Sequence, residues 1–284
     1  MKLIMYETDS HQIKLYDTIE VTELESASAA AKRLGQLLED LAFGDCAKTV
    51  LEEFYEACRL ISAPYQLLHR RIEQRAKAFL SEFSILLNHW EKKSTHEGAE
   101  KHGLFTKLTH QSYDSCPEYG FVYNLRNYAI HGGTVVSRIH GEIGCQYIQP
   151  LANRDRLLSD YRKWKPNEID FLLQQPEYFD LYPIFQKAYS VIQSLHYNMM
   201  DAQLTTQTIA DCDLLTALHH RMLSLNSEPG SWDIIEFFDC HGDPCNLSDI
   251  AAAKFKSCSR CHATWNAYPI IKSRAEMLLH SQTK

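Results

Sequence analysis

Residues 115–133 read SCPEYGFVYNLRNYAIHGG, and this stretch decides the fold because it marks both ends of one helix. Ser115 and Glu118 have the S-x-x-E spacing of a capping box, in which each side chain bonds a backbone N–H at the helix start. Pro117 falls in the first turn, where its missing N–H costs no hydrogen bond. Gly132 and the glycine after it predict the helix end, because glycine takes the left-handed cap conformation without strain.

Within this helix, apolar and polar residues fall on different faces. An apolar stripe at i, i+4 and i+7 predicts the side that faces the core, and it consists of Phe121, Leu125 and Tyr128. Asn127 and His131 are four residues apart and share a face. Arg126 and His131 are five apart, about 140° around the helix axis. A long arginine side chain, a frayed helix end or a second copy of the chain is needed to bring them together.

Arginine, asparagine and histidine in this order suit chemistry at a phosphate group. Arg126 is the candidate phosphate clamp, because a guanidinium binds phosphate through two parallel hydrogen bonds. His131 is the candidate general acid or base, because imidazole titrates near neutral pH. Asn127 is expected to orient His131 or to bond the substrate. The plain alternatives are a surface ion pair for Arg126 and a helix-dipole interaction for His131.

The string LRNYAIHG at residues 125–132 resembles the R-x4-6-H motif of HEPN domains, in which a polar residue often follows the arginine. The resemblance implies a helical bundle over about residues 30–205 and a metal-independent endoribonuclease. In this family, two motifs usually meet across a homodimer interface to build one site. Arg126, Asn127 and His131 would be its catalytic residues, and the products would carry 2′,3′-cyclic phosphate and 5′-OH ends.

The resemblance also implies a biological role and partners. We expect a toxin or phage-defence effector that acts on RNA, with a cognate antitoxin or a sensor protein as a further partner. One toxin subgroup carries tyrosine two places after the histidine, where this chain has Gly133, so the modification linked to that tyrosine is not implied. Two alternatives stay open. One is a non-catalytic HEPN-like module that binds RNA, a nucleotide or a protein; the other is a helical interaction protein whose motif is only a helix end.

Composition indicates a globular protein without an export or membrane segment. The 284 residues are 45% hydrophobic, and no apolar run approaches the roughly 18 residues that a membrane span needs. We therefore expect a cytoplasmic protein without a membrane partner. A net charge of −7 argues against a broad nucleic-acid-coating surface but permits a small local site. Nine cysteines without an export signal predict reduced thiols and no disulfide framework.

Periodicity divides the chain into three parts and predicts a mainly α fold. Residues 1–25 alternate weakly and predict an irregular segment or short strands. Residues 26–226 are expected to form the HEPN-like helical domain, with a β-hairpin at about 134–149 where β-branched residues replace the helical period. A linker at about 227–231 then leads to a small α+β appendage at 232–284.

The helical domain contains breaks that local composition predicts. One helix is expected to end near Gly44, a second to run over about 47–62, and the longest to occupy about 64–93. Charged residues and glycines at about 92–103 predict a mobile loop beside the site.

The appendage carries four cysteines in a C-x4-C-x12-C-x2-C pattern: Cys240, Cys245, Cys258 and Cys261. Four thiolates can hold zinc tetrahedrally, which predicts a structural site with no position left for a catalytic water. His241 and His262 are alternative ligands, and a short helix is expected at about 249–255 between the two pairs. The plain alternative is a set of reduced cysteines. No cofactor is expected for catalysis.

Overall fold

The computed structural model describes residues 2–7, 12–18, 21–59, 64–141, 146–224, 234–240, 250–258 and 262–282. Within them the chain is mainly helical, as the sequence predicts. The helices are α1 (Val21–Cys58), α2 (Tyr65–Glu97), α3 (Ala99–Ser115), α4 (Pro117–Ile130), α5 (Arg154–Asp160), α6 (Pro166–Gln174), α7 (Leu181–Asp201), α8 (Thr206–Ser224) and α9 (His262–Gln282). The strands are β1 (Lys2–Glu7), β2 (Gln12–Thr18), β3 (Arg138–His140), β4 (Gln149–Asn153), β5 (Tyr178–Asp180), β6 (Ile234–Cys240) and β7 (Ile250–Cys258).

The chain divides into two compact units. One consists of Asp40–Ala202, and the other combines Met1–Glu39 with Gln203–Lys284. No helix in the described part of the chain is long and apolar enough to cross a membrane.

The unit formed by Asp40–Ala202 has a helical core in which α4 packs against α2, α3, α6 and α7. Five phenylalanine rings are fully buried in this core: Phe54, Phe79, Phe83, Phe121 and Phe185. Truncating one such ring to alanine typically costs about 3–5 kcal/mol, because a cavity remains that the close-packed interior cannot refill. This core therefore fixes the position of the motif helix α4.

The start of the motif helix α4 differs from the sequence prediction. α3 runs through Ser115, so the capping box of Ser115 with Glu118 is wrong, and Cys116 stands at the N-cap in an extended conformation (φ −137°, ψ 98°). The Cys116 thiol donates to Glu118 Oε2 at 3.3 Å. Pro117 at the first position of α4 is confirmed.

The predicted loop at about 92–103 is also wrong. α2 continues to Glu97 and α3 begins at Ala99, so only Gly98, at φ +112°, interrupts the helical backbone. Lys93 stays helical because its ammonium pairs with the buried Asp40 and lies 3.6 Å from Glu97 Oε1 one turn later.

Gly44 does not end a helix, because α1 runs without a break from Val21 to Cys58. A Cβ at Gly44 would lie 2.6 Å from the Nε2 atom of His196. The glycine is therefore a point of close approach between α1 and α7 and not a cap. The sequence prediction treated Gly44 as a helix cap, which is a common use of glycine, because the contact with a distant helix is not visible in the local sequence.

A three-stranded antiparallel sheet in the order β3-β4-β5 completes this unit. The predicted β-hairpin is confirmed in kind but not in extent: the second strand is Gln149–Asn153, and residues 142–145 lie outside the described part. The two strands that precede helices end in capping residues. Asn153 Oδ1 accepts from Arg156 N at 2.7 Å, and Asp180 Oδ1 accepts from Tyr182 N at 2.9 Å.

The second unit contains a four-stranded antiparallel sheet in the order β2-β1-β6-β7, together with α8 and α9. Arg33 and Asp211 form a two-point ion pair in it, with both N–O distances at 2.7 Å. The helix predicted at about 249–255 is wrong, because these residues fall in β7 apart from the first. Pairing with the β-branched and aromatic residues of β6 overrides the helical preference of the Ala251–Ala253 run.

Candidate functional site

The helix that carries the motif is held by aromatic contacts on its core side. Phe121 has ring centroids of Phe171, Trp164 and Phe179 at 5.3, 5.6 and 6.0 Å. The predicted stripe of Phe121, Leu125 and Tyr128 is confirmed as buried. The opposite side of α4 is open to solvent, so the polar residues of the motif lie at the boundary between core and surface.

Arg126 lies at that boundary, half-buried. Its Nη1 donates to Asn127 Oδ1 at 3.3 Å, and the guanidinium forms no ion pair with any carboxylate among the described side chains. A guanidinium has five N–H donors, so most of its hydrogen-bonding capacity is available to a ligand. The surface ion pair considered from the sequence is not formed within the described residues.

Asn127 continues a chain of hydrogen bonds into the protein interior. Its Nδ2 donates to Asn124 Oδ1 at 3.2 Å, and Asn124 Nδ2 donates to Glu168 Oε1. Glu168 is only 2% exposed, and its carboxylate also accepts from Tyr113 Oη at 2.7 Å and from Lys165 N at 2.9 Å. We call this chain of Arg126, Asn127, Asn124, Glu168 and Tyr113 the motif relay.

Each hydrogen bond in the motif relay has a defined donor and a defined acceptor. Burial, together with the hydrogen bond to Glu168, raises the pKa of Tyr113, so its hydroxyl remains a donor at neutral pH. A buried carboxylate whose hydrogen bonds are satisfied in this way holds its partners in one arrangement. Asn127 is thereby oriented with its Oδ1 toward Arg126.

His131 occupies the C-cap of α4 with φ −78° and ψ 16°. Its backbone N–H donates to Asn127 O at 3.2 Å. The side chain is exposed, and it forms no hydrogen bond or ion pair with the side chains that the structure describes. The structure thus joins Arg126 to Asn127 through side chains, but it leaves the His131 imidazole outside that connection.

The segment after His131 is anchored on both sides. Gly132 has φ +89°, a conformation that favours glycine, and a Cβ at Gly133 would lie 2.4 Å from the Tyr128 ring. Farther along, Glu73 on α2 accepts from Val135 N at 3.1 Å and from Val136 N at 2.6 Å. The backbone beside the imidazole is therefore held in place although the imidazole itself is exposed.

Asn124 and Glu168 did not emerge from the sequence as site residues. Asn124 lies among the apolar residues on the core-facing side of α4. A polar residue at such a position indicates a buried hydrogen bond, because a buried amide needs a partner. Its partner is 44 residues away in sequence, and no local pattern identifies it.

The four cysteines of the predicted zinc site lie partly outside the described residues, because Cys245 and Cys261 are not among them. Cys240 is paired with Ile250 and Cys258 with Ile234, at opposite ends of the β6–β7 ladder. Six residues of strand separate the two ends by roughly 20 Å, whereas thiolates on one zinc ion lie within about 5 Å of each other. Zinc bound by all four cysteines stays a prediction, and it requires a different pairing of these strands.

Among the described side chains, no group of three or more His, Cys, Asp or Glu residues is arranged to hold a metal ion. Comparison with protein-family models, curated proteins and solved structures finds no match. The fold and the site together define a mainly α protein with an arginine–asparagine–histidine motif at the end of a core helix.

Proposed function

We propose that this protein is a metal-independent endoribonuclease of HEPN type that works as a homodimer. The observation that carries the proposal is the state of Arg126, which is anchored through Asn127 and the buried Glu168 but has no carboxylate partner among the described residues. An arginine held in this way favours an external anion. The resemblance of residues 125–132 to the HEPN motif supports an RNA phosphate as that anion.

The reaction would be a transesterification within the RNA strand. The ribose 2′-oxygen forms a bond to phosphorus as a base takes its proton, and the bond from phosphorus to the 5′-oxygen breaks as an acid donates a proton to that oxygen. Arg126 would stabilise the charge on the phosphorane. His131 would serve as the acid or the base, a role typically worth about 10²–10⁴ in rate.

A second copy of the chain is needed for this chemistry. The motif supplies one imidazole, and one imidazole does not act as acid and base in the same step. A symmetric dimer would supply two arginines and two histidines to a shared site. His131 is exposed on an anchored backbone, which suits a residue that forms a shared site with the same histidine of a second copy.

The cellular role is proposed from the family alone. A toxin or phage-defence effector would be restrained by an antitoxin or triggered by a sensor protein, and RNA would be its substrate. HEPN folds also support binding without cleavage, so the activity has to be argued from the site and measured.

The test is cleavage of transfer RNA and total RNA by the purified chain in EDTA. We expect 2′,3′-cyclic phosphate and 5′-OH ends, and at least about a 100-fold loss of rate in Arg126→Ala and His131→Ala. Matched controls are Arg59→Ala, an exposed arginine paired with Glu56, and His140→Ala, an exposed histidine on β3. Both should cleave normally.

Two results would overturn the proposal. Tight RNA binding without cleavage under any condition would favour the non-catalytic binding module instead. Full activity in a protein that sedimentation shows to be monomeric would contradict the shared site.

A further inference from the structure

A cleft of about 460 Å³ opens beside the motif helix. Its walls come from α2, α3 and α4, together with Lys165 at the start of α6, and its buried apolar lining consists of Leu87, Phe105 and Tyr119. Clefts of this volume, with an apolar lining and a few polar groups, typically hold small planar or drug-sized molecules.

Two tyrosines make the cleft suitable for an aromatic ligand. Tyr123 on α4 is 46% exposed, and its side chain forms no hydrogen bond or ring contact with the residues that the structure describes. Tyr113 on α3 is fixed by its hydrogen bond to Glu168, and the Lys165 ammonium lies 4.5 Å from its ring centroid. One ring is therefore open to stacking, and the other is held as a wall.

The polar groups of the cleft favour a base over a phosphate. Glu91 and Asp114 are among its lining residues, and both are exposed carboxylates that repel a phosphate group. Asn88 and Thr109 offer donors and acceptors of the kind that read base edges. Lys165 is the one lysine or arginine in the described lining.

The position of the cleft relates it directly to the motif. Tyr123 precedes Arg126 by three residues and Asn127 by four, so the three side chains are neighbours on the surface of α4. The motif relay also ends at Tyr113, inside the cleft. A strand whose phosphate is bound by Arg126 therefore has an adjoining base within reach of Tyr123.

We infer that this cleft is a nucleobase subsite, in which Tyr123 stacks on an unpaired base of single-stranded RNA next to the phosphate bound by Arg126. The inference rests on the proposed function, because it takes RNA as the ligand. It adds that the substrate must present an unstacked base, so loops and single strands are bound and continuous duplex is not.

The first experiment measures binding of a single-stranded 2′-O-methyl oligoribonucleotide to the full chain. This probe has no free 2′-OH and stays intact. Tyr123→Ala should weaken binding about fivefold or more, as loss of one stacked base does. Tyr197→Ala is the matched control, since Tyr197 on α7 is 49% exposed but does not line the cleft. Equal affinity in the two variants, or tight binding of a duplex of the same sequence, would overturn the inference.

The second experiment maps the base by cross-linking with an oligomer that contains 4-thiouridine. Cross-links to Tyr113, Tyr123 or their cleft neighbours support the subsite, and cross-links confined to other surfaces overturn it. The result is distinguishable from failure of the nuclease proposal. RNA cleavage that needs Arg126 but is indifferent to Tyr123→Ala sinks the subsite alone, whereas cleft cross-links without any cleavage sink the nuclease alone.

Discussion

Two buried carboxylates in the unit formed by Asp40–Ala202 are satisfied in opposite ways. Asp40, fully buried, is paired with Lys93 and bonded by His89 Nε2 at 3.0 Å, so cationic or titratable groups meet it directly. Glu168 is bonded by the neutral donors Tyr113 and Asn124 and by a backbone N–H. We call the first set of residues the closed cluster, because its charges pair with each other inside the protein. We call the second set the open cluster, because its hydrogen bonds lead through neutral amides to Arg126 at the surface.

The difference is consistent with a structural role for the first cluster and, on the proposed function, with an anion-binding role for the second. In the closed cluster the lysine charge is neutralised inside the protein, and burial of the carboxylate is compensated on the spot. In the open cluster the positive charge of Arg126 is anchored but not neutralised by any described carboxylate. An anchored and uncompensated arginine is what a phosphate site requires.

Breaking the closed cluster should have the largest effect on stability. Asp40→Asn keeps the side-chain shape but removes the charge that faces Lys93 and His89, so we expect a loss of about 3 kcal/mol in the free energy of unfolding. Urea denaturation measures it. Asp45→Asn on the same helix is the control, because Asp45 is exposed and should change stability by less than about 0.5 kcal/mol. RNA cleavage per folded molecule should be unchanged, and a selective loss of cleavage would contradict the separation of roles.

A buried histidine near the closed cluster should give the protein an acid-sensitive stability. His196 is buried, its Nδ1 accepts from Trp90 Nε1 at 3.0 Å, and burial, reinforced by nearby His89, lowers its pKa to about 4. The unfolded chain therefore binds the proton first, so the full contribution is present above about pH 6.5 and is lost as pH falls toward 4. We expect a loss of about 2 kcal/mol between pH 7 and pH 5.

His196→Gln tests this explanation, because the amide keeps an acceptor for Trp90 and does not titrate. Urea denaturation of the variant between pH 7 and pH 5 should show most of the dependence removed. An unchanged dependence in the variant would assign it to other groups. Asp40, whose pKa is lowered by its bonds to His89 and Lys93 against the opposing effect of burial, contributes only at still lower pH.

Breaking the open cluster should affect stability least but cleavage most. Glu168→Gln keeps one carbonyl acceptor and loses the other, so a donor is left without its partner and about 1 kcal/mol is lost. Because a neutral amide replaces the charged acceptor, the bonds from Tyr113 and Asn124 weaken and hold Asn127 and Arg126 less firmly, so we expect RNA cleavage to fall about tenfold, which corresponds to about 1.4 kcal/mol in the barrier. Asp170→Asn, an exposed carboxylate on the same helix, is the control. Normal cleavage by Glu168→Gln would show that the relay has no functional role.

Sequence reasoning succeeded where the cause of a structure is local. The core stripe of Phe121, Leu125 and Tyr128 follows from helical period, and Pro117 marks the helix start because of its missing N–H. It failed where the cause is distant. The residues near Lys93 read as a loop, yet an ion pair with Asp40, 53 residues away, holds them in a helix.

The candidate site divides in the same way. Arg126, Asn127 and His131 could be named because they form one short motif on one helix. Glu168 and Tyr113 could not, because they join the motif through contacts that span 44 and 55 residues of chain. The same limit explains β7, where pairing with a remote strand decided against the helix that alanine favours.

The tight contact between Gly133 and the Tyr128 ring has a consequence for regulation. No side chain larger than hydrogen fits two places after the histidine without displacing a buried aromatic residue. Glycine at this position also has no side-chain hydroxyl, so the covalent modification that the resemblance links to a tyrosine there cannot occur on residue 133. On the proposed function, a restraint on the activity would have to act on a different surface.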